Sequence, residues 1–137
     1  MKNKEIEILI KHRLDQAHEA LDDAKYLIDG NRSPQSIVNR SYYAMFYATL
    51  ALLQKITKVP TKHSGVISLF DKEFVMKGIF PKYLGRSVNK AFDLRIRSDY
   101  REQIELTRNQ VEPFLGQAEK FIGADSDYLM NTGHFKR

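Results

Sequence analysis

The stretch from Tyr42 to Leu53 contains no charged residue, and Thr49 is its only polar side chain apart from the tyrosines. It is too short to span a bilayer, which takes about 20 apolar residues. It lies inside a longer segment, Pro34 to about Thr57, whose spacing predicts a helix. A helix apolar on nearly every side is stable only where other helices cover it. Val38, Tyr42, Met45, Thr49, Leu52 and Ile56 form one stripe. Ser41, Ala44, Ala48 and Ala51 form a second stripe of small residues, against which a neighbouring helix can approach closely. Such a segment demands a bundle with this helix at its centre.

The flanking segments supply the cover. Ile6, Ile10, Leu14, Ala17, Leu21, Ala24 and Ile28 recur every three or four positions, predicting an amphipathic helix over 4–29. Gly30 follows at its C-cap. Ser33 is a natural N-cap for the next helix, with Pro34 in its first position. A third helix is expected over 62–76, with Val66, Phe70 and Phe74 facing inward and Gly78 ending it. A fourth is expected over 82–100. The fifth starts either at Thr107, which can form a capping box with Gln110, or at Pro113, and carries Val111, Leu115, Ala118 and Ile122.

Beyond 122 the chain turns polar and is expected to fray. This sets the domain at 1–124, with 125–137 as a polar C-terminal extension. No segment shows period-two alternation between hairpin turns. The expected fold is therefore all-α, an antiparallel up-and-down bundle of four to five helices. At 137 residues the chain suits one compact domain.

Composition narrows the chemistry. The absence of cysteine excludes disulfides, thiolate catalysis and cysteine-ligated zinc, and suits a reducing cytoplasm. The start, Met-Lys-Asn-Lys-Glu-Ile-Glu-Ile, lacks the apolar run of a secretory signal. A cytoplasmic protein with no membrane segment is expected. The net charge of +5 is spread along the chain, which suits a solvated surface as readily as a phosphate-rich partner. There is no glycine-rich phosphate loop, and His12 and His18 are six apart, poor spacing for a shared metal. Neither metal nor cofactor is expected.

Three places resist a purely structural interpretation. On the fourth helix, Leu84, Val88, Ala91 and Phe92 share an arc, and Arg95 falls in its middle. A guanidinium there must be paired or used. Asp99, four residues on, is the obvious partner, whereas Arg97 points away. The pair can simply close a helix end, or Arg95 can line a cleft and meet a phosphate. Early in the second helix, Asn39, Arg40 and Ser41 precede Tyr42, Tyr43, Phe46 and Tyr47. Rings beside an arginine can stack bases, though more often they are core with hydroxyls at the rim. His63, beside Ser64 and Gly65, is either a helix-end residue or an acid–base group. In an up-and-down bundle the start of the third helix and the end of the fourth lie at the same end, so His63 can approach Arg95.

The segments Asn39–Leu53, Thr61–Phe70 and Phe92–Tyr100 together resemble HEPN-domain proteins across about residues 5–123. They are similar to the second helix, the third-helix entry and the fourth-helix end of small stand-alone prokaryotic members. The resemblance implies a helical bundle that forms a homodimer and partners a minimal nucleotidyltransferase, as in toxin–antitoxin pairs. It also implies association with nucleotides or RNA. Some members of the family are metal-independent ribonucleases, with an arginine followed after four to six residues by a histidine.

This chain departs from that pattern. Arg95 is followed by Ile96, Arg97, Ser98, Asp99, Tyr100, Arg101 and Glu102, and Tyr100 fills the earliest histidine slot. Arg13 and His18 have the spacing, but on the first helix. The departure favours a binding and interaction module with Arg95, Asp99, Asn39, Arg40 and Tyr43 as phosphate-site candidates. The alternative is a ribonuclease toxin with an altered site, in which Arg95 acts with His63 or Tyr100.

Overall fold

The computed structural model describes residues 2–56, 58–100 and 105–133. Its elements are α1 (Lys2–Asp29), α2 (Pro34–Leu53), α3 (His63–Phe70) with a π-helical turn (Asp71–Val75), α4 (Lys82–Tyr100), α5 (Arg108–Val111) and α6 (Pro113–Asn131). No strand occurs among the described residues. The fold is an all-α helical bundle, as the periodicity predicts.

The central helix is α2, packed against α1, α4 and α6. Both of its stripes are used: Val38, Tyr42, Met45, Thr49, Leu52, Ser41, Ala44, Ala48 and Ala51 are all buried. Gln35 at the start of α2 bonds Asp99 at the end of α4, so these two helices run antiparallel. Lys25 pairs with Glu119, and Arg108 beneath α6 donates to Asn31 beyond α1, which makes α1 and α6 antiparallel as well.

Helix ends follow local chemistry. Ser33 caps α2 by accepting from the Ser36 N–H, with Pro34 in the first turn. At the end of α1, the Arg32 N–H bonds the Leu27 carbonyl and the Asn31 N–H that of Ile28. This is a Schellman pattern, and its left-handed residue is Asn31 (φ 53°), not the expected Gly30. α2 ends at Leu53 and not near Thr57. The Ile56 N–H turns back to the Leu53 carbonyl in a tighter three-residue closure. The third helix also departs from expectation, because after Phe70 it widens into the π turn. Val66, Phe70 and Phe74 still face inward, and Gly78 (φ 77°) ends the segment as expected.

The two candidate starts of the last helix both exist. Thr107 and Gln110 form a capping box on α5, and Pro113 then opens α6. The polar segment after 122 is corrected: residues 125–131, expected as a loose extension, continue α6. Leu129 at 1% exposure anchors that last stretch in the core, and Asp125 and Ser126 are buried with it. A carboxylate at an inward position hides this continuation from any polarity-based reading.

Candidate phosphate-binding site

The start of α2 and the end of α4 bring most of the sequence candidates together. Arg95 sits partly buried, its side chain 18% exposed. Its Nε lies 3.2 Å from Asp99 Oδ2. The N–H does not point at that oxygen, so the buried Nε has no hydrogen bond and the contact is an ion pair alone. The other carboxylate oxygen, Asp99 Oδ1, accepts from Gln35 Nε2 at 3.1 Å. The helix-end ion pair read from the spacing is present, and a neighbouring helix orients it.

The Arg95 guanidinium also lies over two tyrosine rings, 5.7 Å from the Tyr42 centroid and 5.3 Å from that of Tyr43. Arg40 lies 5.0 Å from the same Tyr43 ring. Two guanidinium groups therefore converge on one aromatic face system, each gaining cation–π attraction. Arg40 is held by its neighbour: its Nε and one terminal nitrogen both donate to Asn39 Oδ1, at 3.0 and 2.9 Å. Among the described residues Arg40 has no carboxylate in ion-pair range. Beside it lies a surface groove of about 350 Å³ lined by Leu27, Gln35, Ser36, Asn39, Arg40 and Asp99. Spaced four apart, Gln35 and Asn39 share a face of α2.

His63 reaches the same region from α3. Its Nδ1 is 2.8 Å from the hydroxyl of the fully buried Tyr42. The imidazole stacks on Phe46 with centroids 4.0 Å apart, and Phe92 of α4 lies 6.4 Å away. Burial lowers the pKa of His63, and the positive charge of Arg95 lowers it further. A neutral imidazole accepting the tyrosine proton at Nδ1 fits that environment. Burial raises the pKa of the Tyr42 phenol, with Arg95 opposing. The expected approach of His63 to Arg95 is thus realised, with Tyr42 between them.

Arg95, Asp99, Asn39, Arg40, Tyr43 and His63 therefore form one neighbourhood. Tyr100 closes α4 by its backbone, and its side chain lies outside the described residues. One member, Gln35, is not among the sequence candidates, although its spacing to Asn39 places it on the same face of α2. Tyr42, of the aromatic run, is core, and its hydroxyl meets His63. The groove offers nitrogen donors and one cation, Arg40, with Arg95 next to it, and its one carboxylate, Asp99, is engaged by Arg95 and Gln35, which is the chemistry of a phosphate site. Among the described residues no cluster of three or more metal-ligating side chains occurs.

Comparison with known proteins bears on this arrangement. A HEPN domain family model matches residues 10–127. A "UPF0332 protein" of Thermotoga maritima is 41% identical over 120 residues, covering 88% of this chain and 90% of that one. A protein of Methanocaldococcus jannaschii named "Putative toxin MJ0605" is 35% identical over 120 residues, covering 88% of each. A second protein of that organism, "Putative toxin MJ0142", is 34% identical over 99 residues, covering 72% of this chain and 67% of that one. With a family match over most of its length and relatives above 30% identity, this chain belongs to the HEPN domain family.

Proposed function

We propose that this protein is a toxin-like HEPN module that binds a phosphate-bearing ligand, a nucleotide or single-stranded RNA, at the Arg40 groove beside the Tyr43–Arg95 contact. One observation carries the proposal: two guanidinium groups converge on Tyr43, and Arg40 has only a neutral amide as its partner. An arginine left without a carboxylate beside an open groove is ready for an anion. Asp99 acts through Arg95, fixing the position of the guanidinium. The names of the archaeal relatives support the toxin-like role. A homodimer and a minimal nucleotidyltransferase partner, which the sequence resemblance implies, belong to the same proposal. The lack of cysteine fits action in the cytoplasm.

The test is fluorescence anisotropy with labelled single-stranded RNA and with a labelled nucleotide, comparing the wild type with Arg40→Ala. Saturable binding weakened about tenfold by the substitution is the expected result. Equal affinity for both proteins overturns the proposal.

A second reading is favoured by the Tyr42–His63 contact beside Arg95. There the protein is a ribonuclease in which His63 takes the role of the absent α4 histidine. In the tautomer whose Nδ1–H donates to the Tyr42 hydroxyl, Nε2 removes the 2′-hydroxyl proton, the 2′-oxygen attacks the adjacent phosphorus, and the 5′-oxygen leaves, taking a proton from water. Cleavage of RNA in EDTA that His63→Ala abolishes, with RNA affinity unchanged, selects this reading. Absence of cleavage across varied RNAs removes it and leaves the binding module.

A further inference from the structure

The N-terminal half of α4 carries a second surface, about two and a half turns from Arg95. Lys82, Arg86 and Lys90 recur every four residues there, and all are exposed. Among the described residues none has a carboxylate in ion-pair range. At the helical rise they span about 12 Å along one side of α4.

Between this row and the π turn lies a groove of about 500 Å³, lined by Val75, Met76, Gly85 and Asn89 together with Lys82 and Arg86. Met76, 80% exposed, forms part of the groove's apolar floor with Val75. Ile79 and Tyr83, near it in sequence, are exposed as well.

The acidic residue in the groove is already engaged. Asp71 Oδ2 accepts from Asn89 Nδ2 at 3.0 Å. Its other oxygen is tucked so closely against α4 that a Cβ on Gly85 would lie 2.9 Å from it. A fixed carboxylate, free cations and an exposed apolar floor leave a surface with positive rim charge to satisfy.

We propose that this groove docks an acidic amphipathic helix of a partner protein. Its apolar side covers Met76 and Val75, and its carboxylates, one per turn, meet Lys82, Arg86 and Lys90. Charge complementarity identifies the partner's sign, and the exposed apolar floor separates a protein from a nucleic-acid backbone, which has no use for Met76. The spacing of the cations matches acidic residues at i, i+4 and i+8 on a facing helix. The groove is independent of the phosphate site at the far end of α4.

The test uses a fluorescein-labelled synthetic helix of about five turns with a leucine stripe flanked by glutamates, and a twin with lysine in place of glutamate. Anisotropy is read against the full chain, against Arg86→Glu with Lys90→Glu, against Met76→Asp and against Arg95→Ala. The acidic helix binds the wild type and Arg95→Ala alike. The charge reversal and Met76→Asp each weaken it about tenfold, with unchanged circular dichroism. Equal binding of the lysine twin, or no loss in either surface variant, overturns the proposal. Loss of single-stranded RNA affinity in Arg86→Glu with Lys90→Glu, with no helix bound, assigns the face to nucleic acid and overturns it too.

Discussion

The buried hydroxyl of Tyr42 lies 2.8 Å from Nδ1 of His63, and Arg95 lies over the Tyr42 ring. This places a titratable imidazole under the influence of a fixed positive charge. Burial and then Arg95 lower the pKa of His63 below its ordinary 6.5. Proton NMR titration is expected to give a midpoint below that value, and Arg95→Ala is expected to move it upward. The sign for stability follows. Below pH 6.5 the unfolded chain takes up a proton that folded His63 resists. Stability contributed by this group is therefore present above pH 6.5 and is lost as pH falls toward the folded midpoint. An Arg95→Ala midpoint equal to that of the wild type would contradict the coupling.

Removing the tyrosine hydroxyl isolates the other half of the contact. Tyr42→Phe deletes a buried donor and leaves Nδ1 of His63 without its partner, while the ring packing is retained. A loss of about 1 kcal/mol in urea unfolding is expected. A neutral result would mean that water replaces the hydroxyl at no cost.

Asp125 supplies the opposite pH dependence. It is fully buried, and neither carboxylate oxygen has a hydrogen-bond partner. Burial raises its pKa well above the ordinary 3.8. The folded state thus favours the protonated acid, and its contribution is fully present below pH 3.8 and is lost as pH rises above it. Asp125→Asn is expected to raise stability at pH 7 by about 2 kcal/mol, with the gain shrinking toward pH 4. Equal gains at both pH values would show that ionisation is not the cause.

Two glycines in helices should respond with opposite signs. Nothing lies within 4 Å of a Cβ placed on Gly123, so Gly123→Ala should add about 1 kcal/mol of stability through helix propensity. A Cβ on Gly65 meets the rigid Pro60 ring at 2.9 Å, so Gly65→Ala should cost about 1 kcal/mol or more despite the same propensity gain. Thermal melts of the two variants give the comparison.

The helical spacing of apolar residues made the bundle legible, because a segment such as Tyr42–Leu53 has only one stable environment. Arg95 was legible for the same reason: a guanidinium in the middle of an apolar arc contradicts its surroundings. What spacing could not reveal depends on contacts across helices. Gln35 meets Asp99 only because α2 and α4 run antiparallel in one particular register. The convergence of Arg40 and Arg95 on Tyr43 needs the same register. The continuation of α6 was hidden because Asp125 occupies a core position that polarity assigns to solvent. The π turn has no sequence signal beyond the run of helix formers around it.

The central claim is that Arg40 and Arg95 hold phosphate. The salt dependence of RNA affinity tests it most directly, because each phosphate contact adds a fixed increment to the slope of log affinity against log salt. Anisotropy titrations of labelled single-stranded RNA across a range of salt concentrations should show that Arg40→Ala and Arg95→Ala each reduce that slope by about 0.7. Weaker binding at every salt concentration should accompany the change. Slopes and affinities unchanged from the wild type in both variants would place the phosphate elsewhere and contradict the account.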